Sequence, residues 1–287
     1  MPTFDTSAHF SVKKFDVVYR QDGDVSLPAT IYQPQGDGPF PALLDVHGGA
    51  WNAGTRAAEE LIHAQLAGNG MVVMAVDFRL APDHIYPAQV ADVNYAIRWL
   101  KAHAADFNAM PEHVGGMGGS SGGNTVLLNA LRPTDPRYTE FSLAEDPRVD
   151  ASLSYVVALW PVLDPYVRYH YAKRTGYERL VTNTENYFQT EERMKDGNPQ
   201  VIVERGEAEQ MPPLLIIQGT KDDNIPIEIP ERFAETYPAK GGQLEMEWFP
   251  GMPHMFALKP SPETDRAIER IKTFIVKQLA TSDVASG

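Results

Sequence analysis

Gly115-Gly116-Met117-Gly118-Gly119-Ser120-Ser121-Gly122-Gly123-Asn124 connects a strand-like stretch near 113–119 to a helical pattern over about 121–131. A serine with glycines two positions to either side, the G-x-S-x-G pattern, fits a sharp strand-to-helix turn, because glycine removes the Cβ clashes that a strained turn would make. Such a turn lifts the serine hydroxyl to the carboxyl edge of a sheet, and the helix that follows offers its N-terminal amides to negative charge. Two registers satisfy the pattern. Ser120 lies between Gly118 and Gly122, and Ser121 between Gly119 and Gly123, so spacing leaves both open. A phosphate-cradling loop does not fit: Gly116 and Gly118 are followed by Ser121 where G-x-G-x-x-G requires glycine, and G-x-x-x-x-G-K-[ST] is absent.

Outward from this turn, apolar strands alternate with helical patterns. Upstream, residues 42–46 read as a short buried strand and residues 71–76 as a continuous apolar run, as a parallel strand covered on both faces would be. Residues 11–20 and 25–32 read as two further strands flanking the turn Gln21-Asp22-Gly23-Asp24. Over 87–104, Val90, Val93, Ile97 and Leu100 share one helical face. Downstream, strands are expected at 151–159, 213–218 and 243–249, and Ile268, Ile271, Ile275 and Leu279 mark a C-terminal helix. The predicted fold class is therefore α/β: a mostly parallel eight-stranded sheet with helices on both faces. Residues 162–212 break the alternation; they lack a clear buried strand and carry five of the twelve tyrosines, which predicts a lid inserted in a single domain spanning 1–287.

Composition narrows the functional classes. At 287 residues, 43% hydrophobic and 22% charged, the chain is an ordinary globular one. No apolar run approaches the ~18 residues of a membrane span, and the N-terminal MPTFDTSAHF lacks the basic and apolar regions of a secretory leader. A cytoplasmic protein is expected. The net charge of −13, with no basic run, disfavours nucleic acid. Cysteine is absent, which excludes disulfides and a thiolate nucleophile.

Three more segments carry chemistry. Asp45-Val46-His47-Gly48-Gly49-Ala50-Trp51 follows a buried strand, and its small residues let backbone amides face a cleft, as an oxyanion hole requires. His47 is expected to brace this loop rather than act as a base. Gly219-Thr220-Lys221-Asp222-Asp223-Asn224 places an acid beyond the next-to-last strand, and Gly251-Met252-Pro253-His254-Met255-Phe256 places a histidine beyond the last. A serine hydroxyl attacks well only when a neutral imidazole takes its proton, and that imidazole needs a carboxylate to fix its tautomer. The order Ser–Asp–His, each just past a strand, supplies these groups. Asp223 and Asp164 are weaker candidates for the acid. His63, His103, His113 and His170 are scattered without metal-ligand spacing, so no metal is expected.

Taken together, these residues resemble the α/β-hydrolase superfamily, in particular its hormone-sensitive-lipase-like and small acetyl-esterase branch. Asp77-Phe78-Arg79-Leu80-Ala81-Pro82-Asp83-His84 is similar to that branch's D-Y-R-L-A-P-E-H, and His47-Gly48-Gly49-Ala50 to its H-G-G-G. Gly118-Gly119-Ser120-Ser121-Gly122-Gly123-Asn124 is similar to G-D-S-A-G-G-N, and this match selects Ser120 as nucleophile. The resemblance spans roughly residues 40–280 and implies Asp222 as acid and His254 as base. It implies an oxyanion hole from the Gly48, Gly49 and Ala50 segment together with Ser121, and no cofactor. Only about forty residues precede the oxyanion strand, too few for the N-terminal helical cap of larger members, so the lid must come from 162–212. Its aromatic side chains Tyr166, Tyr169, Tyr171, Tyr177, Tyr187 and Phe188, with Trp51, are expected to wall the substrate pocket. The implied activity is a serine carboxylesterase acting on small acyl or aryl esters. The H-G-G-A-W variant is also similar to arylformamidases and feruloyl-esterase-like proteins, which leaves amide-type hydrolysis as the alternative. A non-catalytic ligand receptor on the same fold is a third reading, disfavoured by the complete Ser–Asp–His set. The C-terminal Ile/Leu stripe is expected in the core, or at the edge of a homodimer.

Overall fold

The computed structural model describes residues 4–23 and 25–285. Asp24 of the expected turn lies outside them. Eight strands form one sheet: β1 (Ser11–Asp22), β2 (Val25–Gln35), β3 (Phe40–Val46), β4 (Val72–Val76), β5 (Ala109–Gly119), β6 (Val156–Leu159), β7 (Leu214–Gly219) and β8 (Leu244–Phe249). Their order is β1-β2-β4-β3-β5-β6-β7-β8. The β1–β2 and β2–β4 pairs are antiparallel, and all pairs from β4 to β8 are parallel. The sheet is thus mostly parallel, as the alternation predicts. One strand is shorter than expected: regular pairing of β6 starts at Val156, opposite Gly116, and the chain before it is irregular, with the Tyr155 ring lying over Gly115.

Helices cover both faces: α1 (Glu60–Gly68), α2 (Ala88–Ala102), α3 (Ser121–Leu131), α8 (Glu228–Ala239) and α9 (Pro262–Ala285). The continuous apolar runs follow from this double cover. Along β4, Val72, Met74 and Val76 enter one core while Val73 and Ala75 enter the other; along β3, Leu44 and Val46 face the first and Leu43 the second. Period-2 alternation within an all-apolar strand therefore feeds two cores. Ile268, Ile271, Ile275 and Leu279 of α9 are buried in the second core.

The 162–212 insertion is helical: α4 (Pro165–Thr175), α5 (Glu178–Phe188), α6 (Glu191–Asp196) and α7 (Pro199–Arg205). Its helices are punctuated by their sequence. Asp164 caps α4 by accepting the Val167 amide at 3.0 Å, Pro165 opens the first turn, and Gly176 ends it at φ 74°. Asn198, Pro199 and Gly206 do the same for α7. An acceptor before proline and a left-handed glycine after the last turn are the physical start and stop signals of a helix. Among the described residues, no helix is long and apolar enough to cross a membrane.

The topology also places a cleft. From β3 the chain turns to β4 on one side, and from β5 it turns to β6 on the other, so the loops leaving the adjacent β3 and β5 diverge. A crevice outside the carboxyl ends of such a strand pair is where ligands bind in open α/β sheets.

Candidate active site

Ser120 stands at the end of β5 with φ 54° and ψ −116°, the one residue between strand and helix. A non-glycine residue at positive φ is strained and persists only where its surroundings over-determine it. Here the Ser120 amide donates to the Leu159 carbonyl at 2.9 Å, and its own carbonyl accepts from the amides of Val162 and Asn124. The need for glycine at 122 is steric. A Cβ there would lie 1.9 Å from the Val46 carbonyl oxygen and 2.5 Å from that of His47, so the start of α3 fits directly against the end of β3.

His254 and Asp222 reach the same point from the neighbouring strand ends. His254 Nε2 lies 3.0 Å from Ser120 Oγ, and Nδ1 lies 2.7 Å from Asp222 Oδ2. With Nδ1 donating to the carboxylate, Nε2 is left as the acceptor for the serine hydroxyl. Asp222 is itself fixed: Oδ1 accepts the amides of Asn224 and Ile225 at 2.9 and 2.8 Å, and Oδ2 also accepts from Gln218 Nε2 at 2.9 Å. The Trp160 indole meets the His254 ring edge-on at 6.3 Å. Ser120, Asp222 and His254, far apart in sequence, are brought together. The two rival acids have other work. Asp164 caps α4 and accepts from Asn198 Nδ2 at 2.8 Å, while Asp223 accepts from the Tyr177 hydroxyl at 2.8 Å.

The loop after β3 sits beside the elbow. Its path needs left-handed backbone at three successive residues, Gly49 (φ 125°), Ala50 (φ 51°) and Trp51 (φ 63°). Several contacts hold it there. The Trp51 carbonyl accepts from Gln89 Nε2 at 2.6 Å and from the Ala81 amide at 3.0 Å, and the Trp51 amide donates to Ser121 Oγ at 3.3 Å. Asp77 accepts the Arg56 amide at 2.7 Å and pairs with its guanidinium. His47 has the bracing role expected of it: it is 1% exposed, its ring stacks on Phe78 at 4.3 Å, and Nδ1 donates to the Gly48 carbonyl at 2.6 Å. Burial lowers its pKa and favours the neutral ring. The 77–84 motif is therefore a buttress for the oxyanion loop. Gly49 and Ala50 line the cavity next to Ser120; Gly48 lies behind them, where a Cβ would come 3.0 Å from the Gly119 carbonyl.

That cavity holds about 180 Å³, a little more than an engineered cavity of about 150 Å³ that accepts benzene. Its lid-side walls differ from the aromatic set expected from sequence. Arg168, Arg179, Leu180 and Asn183 line it, with His254 and Met255 opposite. Trp51, Tyr187 and Phe188 are instead buried together, Trp51 stacking on Tyr187 at 5.0 Å and meeting Phe188 edge-on at 5.1 Å. Tyr169 hydrogen-bonds Glu185 at 2.6 Å, and Tyr166 packs against His170 and beneath Lys195. Tyr171 and Tyr177 bond to Asp223. The reason is energetic: a small lid of short helices docks by burying its largest apolar surfaces, so Tyr187 and Phe188 go to the interface with Trp51, the other lid tyrosines are held by polar or charged neighbours, and α4 and α5 side chains of other kinds line the pocket. A larger cavity of about 360 Å³ lies beside Arg98 and Phe141, and no histidine lines it.

One cluster was not legible in the sequence. His63 is not an isolated histidine: its Nε2 lies 2.9 Å from Asp45 Oδ2, and Glu59 joins them, with ligand-capable atoms of all three within 4.8 Å of one another. All three are buried, and Glu59 Oε1 would meet a Cβ at Gly119 at 2.9 Å, directly behind the nucleophile. Burial first, and the neighbouring Asp45 charge second, raise the Glu59 carboxyl well above the ordinary carboxylate range. Alternation in β3 points Asp45 inward, but nothing in the sequence ties it to residues 59 and 63.

Comparison with known proteins identifies the fold and its relatives. The chain is 31% identical to the esterase LipC of Mycobacterium tuberculosis over 249 residues, covering 83% of this chain and 58% of LipC. It is 27% identical to the versiconal hemiacetal acetate esterase of Dothistroma septosporum, covering 87% of this chain and 77% of that one. The chain thus spans less than two thirds of LipC, and 57% of a second mycobacterial relative, the probable carboxylic ester hydrolase LipM. Among solved structures, Thermogutta terrifontis esterase 2 with butyrate bound superposes with a TM-score of 0.74 at 27% identity, covering 94% of each chain. The same esterase phosphoramylated by tabun matches at 25% identity with a TM-score of 0.74, covering 92% of this chain and 94% of that one. The fold is the α/β-hydrolase fold of these esterases, and the BD-FAE family model matches residues 29–237. With an elbow serine, its imidazole and carboxylate partners, and a buttressed loop of small residues on that fold, this chain belongs to the BD-FAE family.

Proposed function

We propose that the protein is a serine carboxylesterase that cleaves small esters through an acyl-enzyme. The hydrogen-bond chain Asp222–His254–Ser120, at 2.7 and 3.0 Å, is the observation that carries this reading. Ser120 Oγ attacks the acyl carbon while His254 Nε2 takes its proton; the imidazolium is stabilised by Asp222 and then protonates the leaving alkoxide. Water, deprotonated by the same imidazole, releases the acid. The amides of Gly49, Ala50 and Ser121 are assigned to the oxyanion. No backbone hydrogen bond among the described residues engages them, and Ser121 opens α3. Each such donor is worth about 3–4 kcal/mol in the transition state. The small cavity favours short acyl groups, and the Thermogutta esterase, which was solved with propionate and with butyrate, supports that range.

Hydrolysis of phenyl acetate, N-formylaniline and acetanilide by wild type and Ser120→Ala tests the proposal. Ester cleavage that falls by a factor on the order of 10⁴–10⁶ in the variant is the expected result. Efficient formanilide cleavage with poor ester turnover would replace it with a formamidase, and loss in Ser121→Ala instead of Ser120→Ala would shift the nucleophile by one residue.

A further inference from the structure

The cavity beside Ser120 is lined by two arginines and by no carboxylate. This is unusual in a chain with 38 acidic and 25 basic residues, where chance would put an acid in most walls. Arg168 is 1% exposed. Its Nε and Nη2 donate to Asn224 Oδ1 at 3.0 and 2.6 Å, Nε also approaches the Asn224 carbonyl at 3.4 Å, and the guanidinium lies 5.9 Å from the Trp51 ring. These partners are neutral. Nη1 makes no hydrogen bond among the described residues, and no carboxylate there comes within ion-pair distance of the guanidinium. The nearest acid felt by Arg168 is Asp222, which is committed to His254. Arg179, from the adjacent α5, faces the same cavity close enough to repel Arg168, and the unbonded side-chain amide of Asn183 lies one turn further along.

A buried cation is costly when its one interacting carboxylate, Asp222, stays beyond ion-pair distance, and a second cation beside it raises that cost. Both costs are relieved by an anion in the cavity. A guanidinium fork matches the two oxygens of a carboxylate, and such pairs are strongest when partly desolvated. We infer that the substrate is an ester bearing a carboxylate, which Arg168 and Arg179 hold while Ser120 attacks the neighbouring ester carbonyl. The class comprises half-esters of short dicarboxylic acids and acyl esters of small hydroxy acids. The carboxylate is a spectator: the ester C–O bond breaks, the alcohol leaves with the proton from His254, and water completes the turnover. This assignment deepens the serine-esterase reading and rests on it.

The test uses charged and neutral substrates of matched shape. Monophenyl glutarate is compared with phenyl pentanoate, which puts the carboxylate on the acyl half, and 4-acetoxybenzoate with phenyl acetate, which puts it on the alcohol half. Wild type is expected to favour the charged member of at least one pair by tenfold or more in kcat/KM, and the favoured pair identifies which half carries the carboxylate. Salt should erode the preference. In Arg179→Gln, a change on an exposed side chain, and in Arg168→Gln the charged-to-neutral ratio should fall at least tenfold, chiefly through KM for the charged ester. Equal rates within both pairs in wild type, or a ratio unmoved in Arg179→Gln, would overturn the carboxylate site while leaving the esterase intact. Absence of Ser120-dependent turnover on all four substrates would overturn the reading beneath it.

Discussion

At the scale of single residues, the site depends on which nitrogen of His254 is free. Nδ1 is occupied by Asp222, so the one lone pair that can accept from Ser120 is on Nε2. His254→Ala should therefore lower kcat/KM on phenyl acetate by about a hundredfold or more; activity within a few fold of wild type would remove His254 from the base role. Local sequence could not choose between Ser120 and Ser121, since both sit between glycines. The backbone treats them differently: Ser120 is held at φ 54° ahead of the helix, while Ser121 lies within its first turn and its Oγ accepts from the Trp51 amide.

At the scale of elements, the contact between the elbow and the oxyanion loop decides whether the catalytic groups meet. It has no slack. Gly122→Ala would drive a methyl to within 1.9 Å of the Val46 carbonyl, and relief requires α3 to back away from β3. The expected result is a loss of about 3 kcal/mol in unfolding free energy by denaturant titration, together with a drop in kcat, because the amides of Gly49 and Ala50 leave register with Ser120. An unchanged kcat would mean that the two loops are not coupled. The lid is the element least well read from sequence. Its tyrosines suggest pocket walls because aromatic rings are common in binding sites, yet Tyr187 is fully buried against Trp51. Its helices were not read from the sequence either, although their ends carry local signals. Asp164-Pro165 with Gly176, and Asn198-Pro199 with Gly206, are local start and stop signals that needed no tertiary context.

For the whole molecule, the buried Asp45–Glu59–His63 group sets a pH dependence of stability. Glu59 has a folded-state pKa raised above its unfolded value, so the folded protein holds a proton that the unfolded chain releases. Its contribution is fully present below the unfolded carboxyl range and is lost as pH rises through the folded value. Between these limits the slope is at most about 1.4 kcal/mol per pH unit. Glu59→Gln keeps the neutral shape and removes the ionisation. Its stability relative to wild type should therefore increase from pH 5 to pH 8, read as a growing excess of its unfolding free energy over that of wild type in denaturant titrations. A constant difference over that range would mean that Glu59 ionises freely in the fold.

The alternation of apolar strands with helical patterns, the two-faced cover of the sheet and the strand-end placement of a serine pair, an acid and a histidine were all determined by the sequence itself. Each depends on local physics that a one-dimensional pattern records: continuous apolar runs where a strand feeds two cores, 3.6-residue spacing where a helix covers one, and a nucleophile, an acid and a base each placed just past a strand. Tertiary structure alone decided the rest. Which lid side chains face the cavity depends on how short helices dock, and docking sends the largest apolar groups inward regardless of their chemical suitability for substrate. That choice leaves Arg168 and Arg179 beside Ser120 without an ion-paired carboxylate, and the packing of α1 on β3 gathers Asp45, Glu59 and His63 behind it. Net charges and burials of this kind are sums over neighbours distant in sequence, and no local window contains them.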